Sequence, residues 1–304
     1  MQAIAFYILL PFLYLFSILP IKVLYVISRG FIYPILFKII GYRKNVVAEN
    51  LKNSFPEKSQ AERALIASDF YKYLADMFVE TIKSFTISKE SLLEKIKLEN
   101  IELLLPFFEA NRNVVITLGH IGNYELIAKA MPFYLKHKVL VPYHKMSNNY
   151  FNKLFYKSRT AFGTVFFPTF DTFANIKKDY GQAFALTLAN DQSAPPTKSF
   201  WTRFLNQDTT FFVGTEKIAQ QFDYPVVFAH VTVPKKGHYT MTFALISDKS
   251  KSENEGFIMK KHAELLEKDI VTDPRYWLWT HKRWKHKMPS DVEYGFNISR
   301  KSSV

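Results

Sequence analysis

His120 and Glu125 stand five positions apart in Gly119-His120-Ile121-Gly122-Asn123-Tyr124-Glu125, directly after the apolar run VVITL and at the start of a helical pattern. A neutral imidazole, with an ordinary pKa of about 6.5, can take a proton from an alcohol as that alcohol attacks an acyl carbon. A carboxylate beside it fixes the tautomer and stabilises the imidazolium, the role expected of Glu125. On one continuous helix the two side chains would point about 140° apart, so they meet only if His120 sits on the turn before the helix. A five-residue step also argues against a pair of metal ligands on one helix face, which needs four. The glycines flanking His120 are expected to let a substrate approach the backbone closely.

Other chemistries lack their marks. The chain has no cysteine, which removes disulfides, thiolate metal sites and a thiol nucleophile. No G-x-S-x-G elbow, phosphate-binding loop or G-x-G-x-x-G turn occurs, and no metal or cofactor is expected. His137, His144, His230, His238 and His262 are scattered without ligand spacing and read as surface or core residues.

The elements that must position His120 alternate between short apolar runs and helical spacing. VVITL reads as a strand, GNYELIAKAMPFYL as a helix and VLVPY as a second strand. A helix over 148–162, the runs TVFFP and AFALTLA, a proline-bearing loop opened by Asp191 and a helix over 215–221 follow. PVVFAHVTV and HYTMTFALI, separated by Pro-Lys-Lys-Gly, read as an antiparallel hairpin. Residues 42–95 read as helical, with a break at Pro56 and a capping box from Ser59 to Glu62. The fold class is therefore α/β: a mixed, mostly parallel sheet covered by helices, with ligands at the carboxyl ends of parallel strands.

Composition adds a lipid-facing character. The chain of 304 residues is 48% hydrophobic and carries 29 Phe and 17 Tyr, which rules out disorder. Its 40 Lys and Arg against 27 Asp and Glu give +13, attractive to nucleic acid, an anionic bilayer or an acidic carrier protein. Residues 1–21 carry no charge, and no acid precedes Glu49. About 20 apolar residues suffice to span a bilayer, yet Pro11 and Pro20 would kink such a helix, so a spanning helix and a bent interfacial one both fit. The chain thus divides into an N-terminal hydrophobic, membrane-associating helical segment over 1–40 and a domain over 41–304 with its basic flank on the cytoplasmic side.

Several segments resemble the bacterial lipid A late acyltransferase family, a branch of the lysophospholipid acyltransferases with a His-X4-Asp or His-X4-Glu signature. Here the signature is His120 to Glu125, preceded by Asn50-Leu51 and Phe55-Pro56-Glu57 in a segment similar to the family's entry to its domain. Ser158-Arg159 with Phe162-Gly163 resembles an arginine-bearing helix. Asp191-Gln192 matches a DQ pair, and Gly214 with Ala219 the helix after it. YWLWTHKRW is similar to the family's tryptophan-rich segment and places Trp279, His281, Arg283 and Trp284. Two stretches depart from the family pattern, Phe204-Leu205-Asn206 and Tyr143-His144-Lys145, both expected at the acceptor or acyl pocket.

The resemblance implies transfer of a fatty acyl group from acyl-carrier protein to a hydroxyl of a lipid A precursor, by an inner-membrane enzyme facing the cytoplasm. His120 and Glu125 would be catalytic, with Arg159, Asp191, Gln192, Asn123, Gly122 and Arg283 at the substrate. Arg159 would hold an oxyanion or a phosphate, with Asp191 as its partner. The basic and aromatic side chains over 281–287 suit anionic headgroups. Another acceptor, such as an amino-acid lipid, lysophospholipid or glycolipid, keeps the same chemistry. A non-enzymatic protein binding membrane or nucleic acid by charge would explain Lys and Arg but not the ordered motifs, and no nucleic-acid-binding motif supports it.

Overall fold

The alternation of short apolar runs with helical spacing builds a seven-stranded, mostly parallel sheet in the order Ile96–Leu98, His238–Ser247, Val226–Lys235, Val114–Leu118, Phe184–Ala189, Lys138–Tyr143, Val165–Pro168. The computed structural model describes residues 2–290 and 292–298; residues 1, 291 and 299–304, which the two expected segments include, lie outside them. The helices are α1 Gln2–Ile18, α2 Ile21–Ile27, α3 Lys44–Ser54, α4 Gln60–Lys83, α5 Lys89–Lys95, α6 Leu105–Glu109, α7 Tyr124–Ala130, α8 Asn149–Thr160, α9 Thr172–Ile176, α10 Gly214–Phe222 and α11 Phe257–Thr272. The strands are β1 Ile96–Leu98, β2 Val114–Leu118, β3 Lys138–Tyr143, β4 Val165–Pro168, β5 Phe184–Ala189, β6 Lys198–Phe204, β7 Gln207–Phe212, β8 Val226–Lys235, β9 His238–Ser247 and β10 Gly295–Ile298.

β2 lies parallel between β8 and β5, and all five of its residues are buried. A strand covered on both faces has to be apolar throughout, which is why VVITL does not alternate. The PVVFAHVTV and HYTMTFALI runs pair antiparallel as β8 and β9, as their turn residues predict. The capping box at the start of α4 also forms, with Ser59 N donating to Glu62 at 2.7 Å and Glu62 N to Ser59 Oγ at 3.2 Å.

Downstream of Asp191 the proline-bearing loop forms, and the stretch after it, to which the sequence reading gave no element, holds a hairpin, β6 with β7, extended by β10 into a separate three-stranded sheet. Its turn, Leu205-Asn206, has positive φ at both residues, a backbone suited to tight hairpins that the sequence marks with Asn but not with Gly. Phe204 and Leu205 are fully buried in the core, and this departure from the family pattern does not line the cavity beside His120.

The N-terminal segment bends by 118° between two apolar arms, Phe6–Ile18 and Ile21–Ile39, with Pro20 at the break. Among the described residues no single helix is long and apolar enough to cross a membrane. The second arm continues past α2 as two π-helical turns, Ser28–Ile32 and Ile35–Ile39, and docks on α4. Outer residues of both arms, among them Ile8, Phe12, Leu15, Val26, Phe31 and Ile39, remain exposed. Exposed apolar side chains in such number are unusual on a protein surface.

Candidate active site

Register brings two distant residues together. β2 and β5 are parallel neighbours with Leu118 opposite Ala189, and each strand ends there. Two residues beyond that rung lie His120 on one strand end and Asp191 on the other. His120 Nδ1 meets Asp191 Oδ1 at 2.5 Å, and the backbone N of His120 donates to Oδ2 at 2.7 Å. Trp277 Nε1 donates to the same Oδ2 at 2.7 Å. An ionised carboxylate only accepts, so Nδ1 carries the proton and Nε2 is left with a lone pair.

The electrostatics match. Burial alone would raise the Asp191 carboxyl, but the His120 charge and the converging hydrogen bonds hold it well below the usual carboxylate range. Burial pulls the His120 imidazole down, yet the charge and hydrogen bond of Asp191, helped by the charge of Glu125, lift it above its ordinary value. Asp191 is therefore the residue that orients His120 and raises its basicity. The expectation that Glu125 is the direct partner of His120 is corrected, as is the expected pairing of Asp191 with Arg159.

Glu125, in the first turn of α7, instead takes Arg159 of α8 in a fork. Arg159 Nε donates to Oε2 at 2.8 Å, and Nη2 donates to Oε1. The guanidinium also lies over the rings of Tyr143, Phe155 and Phe166 at 5.4 to 5.7 Å. Burial lowers and the Glu125 bond raises the Arg159 pKa, with a net rise, so it stays charged. Lys129, one turn on, ties α7 to α4 and α8 by donating to Ser84 O at 2.5 Å and Ser158 Oγ at 3.1 Å. Its burial pushes the ammonium down to about 8.

The glycines of the motif are closely packed by the protein's own side chains. A Cβ on Gly119 would lie 2.4 Å from Leu266 Cδ1 and 3.4 Å from Asp191 Oδ2. One on Gly122, where φ is +64°, would lie 2.9 Å from both Tyr239 and Val231. Gly122 and Asn123 face away from the cavity: Gly122 O accepts from Tyr73 at 2.7 Å, while Asn123 Oδ1 caps α7 at Leu126 N and its amide donates to Glu80. These residues shape the loop and are not among those lining the cavity beside His120, where substrate contacts were expected of them.

A cavity of about 550 Å³ opens beside His120, within the size range of small-molecule sites. His120, Glu125, Arg159 and Gln192 line its polar end. Apolar walls come from both faces of the sheet, with Ile127, Met131 and Val141 on one side and Leu188 and Ile218 on the other. Tyr143 and His144, one of the two departures from the family pattern, also line it, so His144 is not merely a surface residue.

Arg283 does not reach this cavity. It is 1% exposed, donates from Nη2 to Thr210 O at 2.5 Å and lies over the Phe211 ring at 4.6 Å. Burial pushes it down to about 9, although the charge of Asp191 opposes the change. The stretch over 281–287 forms a series of turns. Asn50 of α3 holds it by donating to the carbonyls of Trp279 and His281 at 2.9 and 3.0 Å. His281 Nε2 accepts from Ser193 N at 3.1 Å, and burial pushes that imidazole down to about 4. Trp277, which sequence reasoning passed over, is the member of this segment that reaches the site. Its only signal was its place in a tryptophan-rich run.

The sequence matches the family model described as bacterial lipid A biosynthesis acyltransferase over residues 1–286. No curated protein sequence matches it.

Proposed function

We propose a specific reaction for this chain, which belongs to the bacterial lipid A biosynthesis acyltransferase family: transfer of a fatty acyl group from a carrier thioester to a hydroxyl of a lipid A precursor. The observation that carries the reading is the His120–Asp191 pair at the polar end of an apolar cavity.

His120 Nε2 takes the acceptor's proton as its oxygen attacks the thioester carbon. Asp191 holds the ring in the tautomer that leaves Nε2 basic and stabilises the imidazolium that forms. The tetrahedral intermediate collapses with cleavage of the C–S bond, and the departing sulfur recovers the proton from His120. Arg159, fixed by Glu125 and its aromatic neighbours, presents its remaining guanidinium edge to the developing oxyanion or to a phosphate of the acceptor. Gln192 adds a neutral donor at the same rim. The apolar walls take acyl chain, and the +13 surface suits an acidic carrier protein and the anionic face of the inner membrane, with the domain on the cytoplasmic side.

The two exposed apolar arms deliver the site to lipid. Purified full-length protein in detergent should release free thiol from acylated carrier protein only when a lipid acceptor is present. Acceptor-independent release would make it a thioesterase and end the transfer reading. A chain lacking residues 1–38 should move to the soluble fraction with poor activity, whereas full-length protein found wholly in that fraction would remove the membrane reading.

A further inference from the structure

The catalytic loop is held from behind by one face of α4. Tyr73, Asp76, Glu80 and Ser84 follow one another at i, i+3, i+7 and i+11, spacings that place them in a row along a helix. Tyr73 and Glu80 grip the loop, through Gly122 O and Asn123 Nδ2. Asp76 and Glu80 grip the second N-terminal arm, through Ser28, Arg29 and Tyr25.

Glu80 alone makes both connections. It is 2% exposed and accepts three hydrogen bonds: Tyr25 Oη at 2.6 Å, Tyr239 Oη at 2.6 Å and Asn123 Nδ2 at 2.9 Å. Asn123 has no freedom in this arrangement. Its Oδ1 caps α7 at Leu126 N, which turns its amide nitrogen toward Glu80. Asn123 also lies between His120 and Glu125 in the loop, so its position sets how the base emerges from the strand and how α7 begins. The Tyr25 hydroxyl is seated tightly, against the backbone at Gly237, where a Cβ would come within 1.9 Å of it.

We propose that Glu80 is a positioning residue through which docking of the N-terminal arm on α4 sets the conformation of the catalytic loop, by the chain Tyr25, Glu80, Asn123. An arm that leaves α4 takes the Tyr25 donor with it and exposes the buried carboxylate to a change of partners. Turnover thereby depends on how the lipid-facing segment is seated, with the alcohol and thioester sites themselves untouched. The dependence of turnover rests on the acyl-transfer reading; the dependence of loop conformation does not.

The test uses the full-length protein in detergent with Tyr25→Phe, Glu80→Gln, the double variant and Ser28→Ala. Ser28 bonds Asp76 from the same arm at 2.6 Å and has no direct bond to Glu80 or Asn123, so it reports general loosening of the arm. Expected for Tyr25→Phe and Glu80→Gln is a fall of about tenfold in kcat, an unchanged KM for the acyl thioester and faster amide exchange over residues 119–126. The double variant should be no worse than the stronger single one, because both cut the same chain. Ser28→Ala should leave kcat and that exchange as in the wild type. Unchanged loop exchange in both Tyr25→Phe and Glu80→Gln, multiplicative losses in the double variant, or an equal loss in Ser28→Ala would overturn the proposal. A wild-type protein that transfers no acyl group would defeat the reaction assignment instead, and the exchange arm alone would then decide the relay.

Discussion

Two regions at the mouth of the cavity each present one carboxylate, and they differ in what they are built from. Asp191 sits at the end of a buried strand, fully enclosed and receiving hydrogen bonds from a ring nitrogen, a backbone nitrogen and an indole. Glu125 sits in the first turn of a short helix, partly exposed, with both oxygens on one guanidinium. The first environment fixes one imidazole in one tautomer. The second holds a cation at the rim and acts on His120 only through its charge. Sequence proximity favours Glu125 as the base's partner, whereas strand register gives that place to Asp191.

The largest expected effect breaks the comparison at its shared member. His120→Ala should lower acceptor-dependent thiol release by roughly 10³- to 10⁴-fold with folding intact, since a positioned base is lost. Near-normal release would return both carboxylates to a purely structural role. Asp191→Asn should come next, at roughly 10²- to 10³-fold, because a neutral amide no longer enforces the tautomer or stabilises the imidazolium. Glu125→Gln should cost about tenfold, through a misplaced Arg159. A larger loss in Glu125→Gln than in Asp191→Asn would reverse the assignment.

The pH profile sharpens the same contrast. Activity needs unprotonated Nε2, and the folded His120 pKa is raised, so the rate should climb with pH and level off only above about 6.5. Asp191→Asn removes the main lifting charge and leaves burial opposed only by the charge of Glu125, so its inflection should move to lower pH. In Glu125→Gln it should move the same way but less. The smallest effect expected is from Arg159→Lys, a severalfold drop in kcat measured with the same thiol assay. The charge survives there, but the planar fork that engages Glu125 does not.

Much of this was legible early. VVITL followed by Gly-His, the hairpin turn and the Ser59 to Glu62 capping box are local signals, because hydrophobic period, turn chemistry and capping act within a few residues. The uncharged segment over residues 1–21 and the basic excess were equally plain, and the ordered motifs pointed to the acyltransferase family that the family match supports. What the sequence could not convey is which strands become neighbours. β5 pairs with β2 only after the chain has passed through β3 and β4, and that non-consecutive order puts Asp191 beside His120 across 71 residues. Local rules likewise could not distinguish an Arg283 aimed at lipid from one folded under Phe211, or show that Asn123 faces Glu80 and not a substrate. Composition and spacing act along the chain and determined the elements and the reactive residue types; partner choice depends on register, burial and the direction of each side chain, which the packed sheet and helices alone decided.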